Sequence, residues 1–149
     1  RLQGDWSSDV CSSDLQFKKL NTVGRLDKES EGLLLLSNDG MVTKLVTGKE
    51  HIIEKEYIVT VREDITPAMM KRMSTGIKLD DGWTKPAHAE KIDTHTFSII
   101  LTEGRKHQIR RMANACRLTI NSLKRVRVGN ITLGGMYEGQ WKKVKKNEI

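Results

Sequence analysis

The segment Lys55–Arg62 reads KEYIVTVR, with Tyr57, Val59 and Val61 on one face and Ile58 and Thr60 on the other. Strict alternation of this kind fits a half-buried β-strand and not a helix, so the rest of the chain has to build a sheet around it. Thr96–Thr102 repeats the pattern, with Phe97, Ile99 and Leu101 sharing a face. Ala87–Ile92, Thr119–Val128, Ile131–Leu133 and Trp141–Val144 read as further strands with glycine turns between them. Asp80-Asp81-Gly82 is a turn between two short strands. Glu31–Ser37 (EGLLLLS) is a continuous apolar run before the turn signal Asn38-Asp39-Gly40, and it reads as a strand buried on both faces.

Three segments carry helix signals. Met41–Thr47 is a short helix closing at Gly48. Thr66-Pro67 supplies a hydroxyl cap and a proline at the first helical position, Met69, Met70 and Met73 form the buried stripe, and Gly76 ends the helix. Arg105–Cys116 places Ile109, Met112, Ala113 and Cys116 at helical spacing on one face. Strands outnumber helices and hairpin spacings dominate. The expected class is α+β, a mostly antiparallel mixed sheet flanked by helices.

The length of 149 residues suits one domain. Asp5–Leu15 (DWSSDVCSSDL) stands apart, with no apolar periodicity of either kind. One codon choice for it resembles a sequencing-library adapter read in frame. Residues 1–15 are therefore expected to be a non-native segment, with the domain beginning at Gln16.

Composition excludes several classes. The longest apolar run, Leu33–Leu36, is far short of a bilayer span, and Arg1–Leu15 lacks the apolar core of a secretory signal. Two cysteines cannot form a disulfide framework, so a reducing, cytoplasmic setting is expected. His51, His88, His95 and His107 have no paired spacing, which leaves no legible metal site. Gly134-Gly135 lacks the strand and helix context of a phosphate loop. The expectation is a cofactor-free protein without membrane association.

Charge points to the partner. Residues 101–149 hold twelve Lys or Arg against three Asp or Glu, which more than accounts for the net charge of +7. Apolar residues interleave with these charges, so the block belongs to a folded basic surface, and nucleic acid is the leading candidate for what it meets.

Three constellations could use such a surface. Gly24-Arg25-Leu26-Asp27 leads into the apolar run, where a carboxylate beside an arginine can stay ionised while desolvated; spacing alone favours an ordinary loop ion pair. In Glu103–Met112 (EGRKHQIRRM), His107 and Arg111 point away from the apolar stripe toward phosphate, and Arg110 lies at its flank. There Arg110 is half buried and needs a carboxylate partner; a solvated basic helix face fits this segment equally well. In Leu123–Gly129 (LKRVRVG), Lys124, Arg125 and Arg127 lie on a strand beside that helix and would complete a basic groove.

Val23–Gly40 (VGRLDKESEGLLLLSNDG), Lys55–Val61, Asp81–Ala87 (DGWTKPA), Glu103–Met112 and Leu123–Trp141 follow the order and spacing of one family. The chain resembles the catalytic domain of bacterial ribosomal RNA pseudouridine synthases, within the RsuA/RluB/RluF group, over Phe17–Ile149. The resemblance implies isomerisation of uridine to pseudouridine in ribosomal RNA, without a cofactor, by a monomer. It also implies catalytic roles for Asp27, Tyr57 and Arg110: Asp27 as the catalytic aspartate, Tyr57 stacked on the target uracil, Arg110 paired with Asp27. Arg25 corresponds to the arginine that replaces the flipped base, and Arg105, His107, Gln108, Arg111, Lys124, Arg125 and Arg127 form the implied RNA-contacting set. Family members usually carry an S4-type RNA-binding domain and a first catalytic strand with a Lys-Pro motif, neither of which is legible here. The competing class is a non-catalytic rRNA-binding module or assembly factor, which would not require Asp27, Tyr57 and Arg110 together.

Overall fold

The computed structural model describes residues 19–48 and 52–149. The adapter-like segment, residues 1–15, lies outside them.

The alternating segment forms β4 (Lys55–Val61) and sits inside the main sheet. On one side it pairs with β8 (Thr96–Leu101) and on the other with β9 (Ile120–Val128), both antiparallel. The sheet extends through β7 (His88–Lys91) beyond β8 and β10 (Ile131–Thr132) beyond β9. A two-residue strand, β2 (Glu31–Gly32), joins β9 in parallel, so the sheet is mixed as expected. Two small pairs stand apart from it: β1 (Asn21–Val23) with β3 (Leu35–Ser37), and β5 (Lys78–Leu79) with β6 (Gly82–Trp83).

Helices close the sheet through the residues that the periodicity singles out. In α1 (Gly40–Thr47), Asp39 caps the start by accepting from the Met41 N–H at 2.8 Å, and Val42 and Val46 are buried. In α2 (Pro67–Thr75), the Thr66 hydroxyl accepts from the Met69 N–H, and Met70 and Met73 are buried while Met69 is only partly so. In α3 (Gln108–Ala115), Ile109, Met112 and Ala113 face inward, and Cys116 follows them into the core. These side chains meet Val59, Val61, Phe97, Ile99, Leu101 and Leu123 of the sheet in one cluster. Each large side chain so buried contributes roughly 1.5–3 kcal/mol. A second cluster joins Val23, Leu33, Leu35, Val42 and Val46 to Val128 and Ile131.

Three sequence expectations are corrected. The apolar run is not one strand: Glu31–Gly32 and Leu35–Ser37 pair with different partners, because the chain leaves β9 at Leu33 to reach β1. The third helix begins at Gln108 and not at Arg105, since His107 adopts a left-handed φ of 50° that ends the preceding turn. Trp141–Val144 is not a strand; these residues are exposed and lie outside every strand.

Candidate active site

The loop joining β1 to β2 carries Arg25 and Asp27, and three basic residues from other elements surround it. The Asp27 carbonyl accepts from the Ser30 N–H at 2.8 Å, which closes a tight turn around the carboxylate-bearing residue. From β9, Arg125 donates through Nε to the Leu33 carbonyl at 2.8 Å and through Nη1 to the Arg25 carbonyl at 3.3 Å. From α3, Arg110 donates through Nη2 to the Glu29 carbonyl at 2.7 Å, with the Glu29 carboxylate 3.7 Å from its Nη1. His107, at the start of α3, brings Nε2 to 3.5 Å from Asp27 Oδ1. Guanidinium groups suit this work because one planar fork can hold carbonyls at two places on a loop.

The backbone helps to seat the loop. Gly32 has φ 104° and packs directly on β9; a Cβ there would stand 2.2 Å from the Arg125 carbonyl oxygen. That close approach requires glycine. Tyr57 lies across the ladder from Arg125, where β9 carries one more residue than β4 between the pairs Glu56–Arg127 and Tyr57–Arg125. Bulges of this kind re-aim side chains next to active sites. Tyr57 is partly buried and packs on the main cluster. The loop with Asp27 and the strand with Tyr57 are thus tied through one residue, Arg125. Ser30 Oγ, three residues after Asp27, is sealed from solvent without a hydrogen-bond partner among the described residues.

The strained start of α3 is part of the arrangement. A non-glycine residue with positive φ costs about 1 kcal/mol and persists only where its surroundings hold it. Here Arg111 N–H donates to the His107 carbonyl at 3.0 Å, and Gln108 is fixed by Glu103. The left-handed turn directs the His107 ring toward Asp27 instead of along the helix.

The expected site residues separate into three groups. Asp27, Arg110 and His107 come together at the loop, with Tyr57 linked to them through β9. The expected Arg110–Asp27 pair does not form: Arg110 is half buried, as its position at the flank of the stripe implies, but it holds Glu29. Arg25 is exposed and Lys124 is partly exposed, so both remain open to RNA.

Five residues of the implied RNA-contacting set are instead taken up inside the protein. Arg125 is buried, 4% exposed. Arg127 bonds to Glu56 at 2.7 Å, to Glu54 at 2.9 Å and to the Gly129 carbonyl. Arg111 holds Asp80 and Asp81 at the β5–β6 turn. Arg105 binds Glu103 at 3.2 Å and Asp81 at 3.3 Å, and also the carbonyls of Gly82 and Trp83. Gln108 is buried; it donates to Glu103 at 2.7 Å and accepts from the Arg105 N–H. The alternation of Glu54 and Glu56 at the start of β4 was a usable signal for the first of these pairings, since cross-strand neighbours of opposite charge attract. Nothing local signalled that Asp81 would meet α3, because the two are far apart in sequence.

Electrostatics agree with these pairings. Hydrogen bonding from Arg111, and next from Arg105, holds the Asp81 carboxyl below the ordinary carboxylate range. Burial pushes the Cys116 thiol up, away from a nucleophilic thiolate. Among the described residues, no group of three His, Cys, Asp or Glu side chains is placed to hold a metal ion. No helix among them is long and apolar enough to cross a membrane.

Comparison with known proteins gives this arrangement its family. Residues 7–115 match the model of the RNA pseudouridylate synthase family. The match begins inside the adapter-like segment. An uncharacterized RNA pseudouridine synthase of Aquifex aeolicus is 38% identical over 133 residues, covering 89% of this chain and 56% of that protein. The dual-specificity RNA pseudouridine synthase RluF of Escherichia coli is 37% identical over 134 residues, covering 89% of this chain and 46% of that protein. A crystal structure of a pseudouridylate synthase superposes with a TM-score of 0.83 at 32% identity, over 88% of this chain and 58% of that one. The chain spans about half the length of the curated relatives it matches. With a matching family model over most of its length and the same α+β fold, the chain belongs to the RNA pseudouridylate synthase family.

Proposed function

We propose that this protein converts specific uridines of ribosomal RNA to pseudouridine, with Asp27 as the catalytic carboxylate. The observation that carries the reading is the seating of the Asp27 loop: Arg125, Arg110 and Gly32 hold it against β9, where Tyr57 stands across the ladder. An RNA-binding module has no need to seat a carboxylate-bearing loop in this way, with the Asp27 carboxylate itself beside His107.

The reaction breaks the N1–C1′ bond and forms a C5–C1′ bond in its place. The proton on C5 is lost and N1 ends protonated, so the atoms balance without cofactor or oxidant. A carboxylate at the sugar face can serve as nucleophile at C1′ or as the base that opens a glycal route. The uridine has to leave its stack at a cost of roughly a few kcal/mol. Tyr57 offsets that cost by offering a ring face to the uracil, and the exposed Arg25 fills the space the base leaves. The RNA is free or in an assembling subunit, and the protein acts on it as a monomer in the cytoplasm, a compartment that suits the free thiol of Cys116.

The test is Asp27→Asn, which is nearly isosteric and removes the charge. The protein expressed from its intact gene is compared with the variant for pseudouridine yield on ribosomal RNA, RNA affinity and melting temperature. The expected result is loss of pseudouridine formation with affinity and melting temperature retained. A variant that works at the wild-type rate refutes the catalytic role. One that binds RNA normally but only melts earlier makes Asp27 structural and favours the rRNA-binding module.

A further inference from the structure

Tyr137 is 80% exposed, the most exposed of the large apolar side chains among the described residues, yet its backbone is firmly held. Its N–H donates to Gln140 Oε1 at 2.9 Å, and its carbonyl accepts from the Gln140 N–H at 3.1 Å. Holding an exposed ring on an ordered turn lowers the entropy lost when something packs against it. Tyr137 also lines a cleft. It is lined by Glu31–Leu34, the stretch that follows the Asp27 loop, by Leu133 with Met136–Gln140, and by Lys124 of β9. Beyond the turn, Lys142 and Lys143 are exposed, as is the ring of Trp141.

An aromatic face flanked by lysines is how proteins hold single-stranded nucleic acid, because every base has a face to stack and every nucleotide a phosphate to neutralise. We propose that this cleft binds the nucleotide neighbouring the target uridine, its base stacked on Tyr137 and its phosphate at Lys124. Glu31, on the same cleft, disfavours a bare phosphate deep inside it and offers a carboxylate to base amino or imino groups. The occupant is therefore a base, with its phosphate at the lysine edge. The cleft adjoins the segment that seats Asp27, so an unstacked strand can place one base here while the next enters the catalytic site. The proposal rests on the function argued above and adds to it a subsite for the flanking base.

The test uses a short oligouridylate with one 2-aminopurine beside the central uridine, whose fluorescence falls when the base stacks. The proteins are wild type, Tyr137→Ala, Tyr137→Phe and Lys124→Ala, with pseudouridine formation on ribosomal RNA measured in parallel. Tyr137→Ala is expected to abolish the quenching and weaken binding about 5- to 150-fold, the range for losing one stacked base. Tyr137→Phe keeps the ring and binds within about twofold of wild type. Lys124→Ala lowers affinity and the steepness of its salt dependence. The exposed position predicts an unchanged melting temperature for Tyr137→Ala. Wild-type binding and quenching in Tyr137→Ala overturn the proposal. So does self-association of the wild type that Tyr137→Ala removes, which would assign the face to a second copy of the chain. If the wild type stacks the base through Tyr137 but makes no pseudouridine, the subsite stands and the catalytic reading falls.

Discussion

Arg125 allows the sharpest separation between holding the Asp27 loop and binding RNA. It is 4% exposed, and no carboxylate among the described residues pairs with it. Its bond to the Leu33 carbonyl has ordinary length, 2.8 Å, and that to Arg25 is long at 3.3 Å. A charge-assisted bond of the first kind is worth about 1.5–3 kcal/mol, and the second about 0.5–1. Against them stands the desolvation of a buried cation. Repulsion of Lys55 adds to that cost, since the Lys55 ammonium is depressed by burial first and by Arg125 second. Arg125→Met keeps most of the volume, deletes both bonds and removes the buried charge. The net loss of stability is about 1–3 kcal/mol, or roughly 3–10 °C in melting temperature for a domain of this size. Turnover suffers more, because a loop released by about 1 Å can cost about a hundredfold in rate. Affinity for RNA stays within about twofold, since the side chain does not reach the surface. Arg125→Lys restores the charge but not the two-carbonyl grip and should recover stability better than rate. The assays are thermal melting, a salt titration of RNA binding, and separate kcat and KM values for pseudouridine formation. A fall in affinity with a salt slope reduced by about one charge would make Arg125 a phosphate contact and refute this reasoning.

Two further outcomes follow from the packing around the same site. Gly32→Ala places a methyl group 2.2 Å from the Arg125 carbonyl in a backbone conformation of φ 104°; the expected cost is roughly 2–4 kcal/mol, and an unchanged melting temperature would count against the close packing of β2 on β9. The Asp81 carboxyl titrates below its ordinary value of 3.8 because Arg111 and then Arg105 bond to it, so its contribution is complete above that pH and is lost as the pH falls through the lower folded value. Melting temperatures of wild type and Asp81→Asn should therefore differ at neutral pH and converge on acidification; a constant gap would show that the β5–β6 turn is not held by its charges.

Much of this protein is written in local pattern, and the reason is that local pattern decides burial. Alternation in Lys55–Val61 and Thr96–Leu101 puts every second side chain against the helices, and Val59, Phe97 and Ile99 are fully buried as a result. Thr66-Pro67, Asp39 and the stripe through Ile109 and Met112 act within a turn or two of themselves, so α1, α2 and the body of α3 are legible one segment at a time. The family motifs around Asp27, Tyr57 and Arg110 are legible for the same reason: each is a short run on one element. What each charged side chain faces is a different kind of question. A basic residue lowers its energy with phosphate, carboxylate or carbonyl alike, and its own segment does not say which is near. Tertiary structure brought Glu54 and Glu56 to Arg127, Asp81 to Arg105 and Arg111, Glu29 to Arg110 and two loop carbonyls to Arg125. The sequence by itself determined that the last third of the chain is basic and that Asp27 stands in a family motif. Only the tertiary structure decided that most of those arginines bind carboxylates and carbonyls of the protein itself, Arg110 and Arg125 among them at the loop that carries Asp27, because pairings between residues 24 to 100 positions apart depend on how the strands and helices assemble.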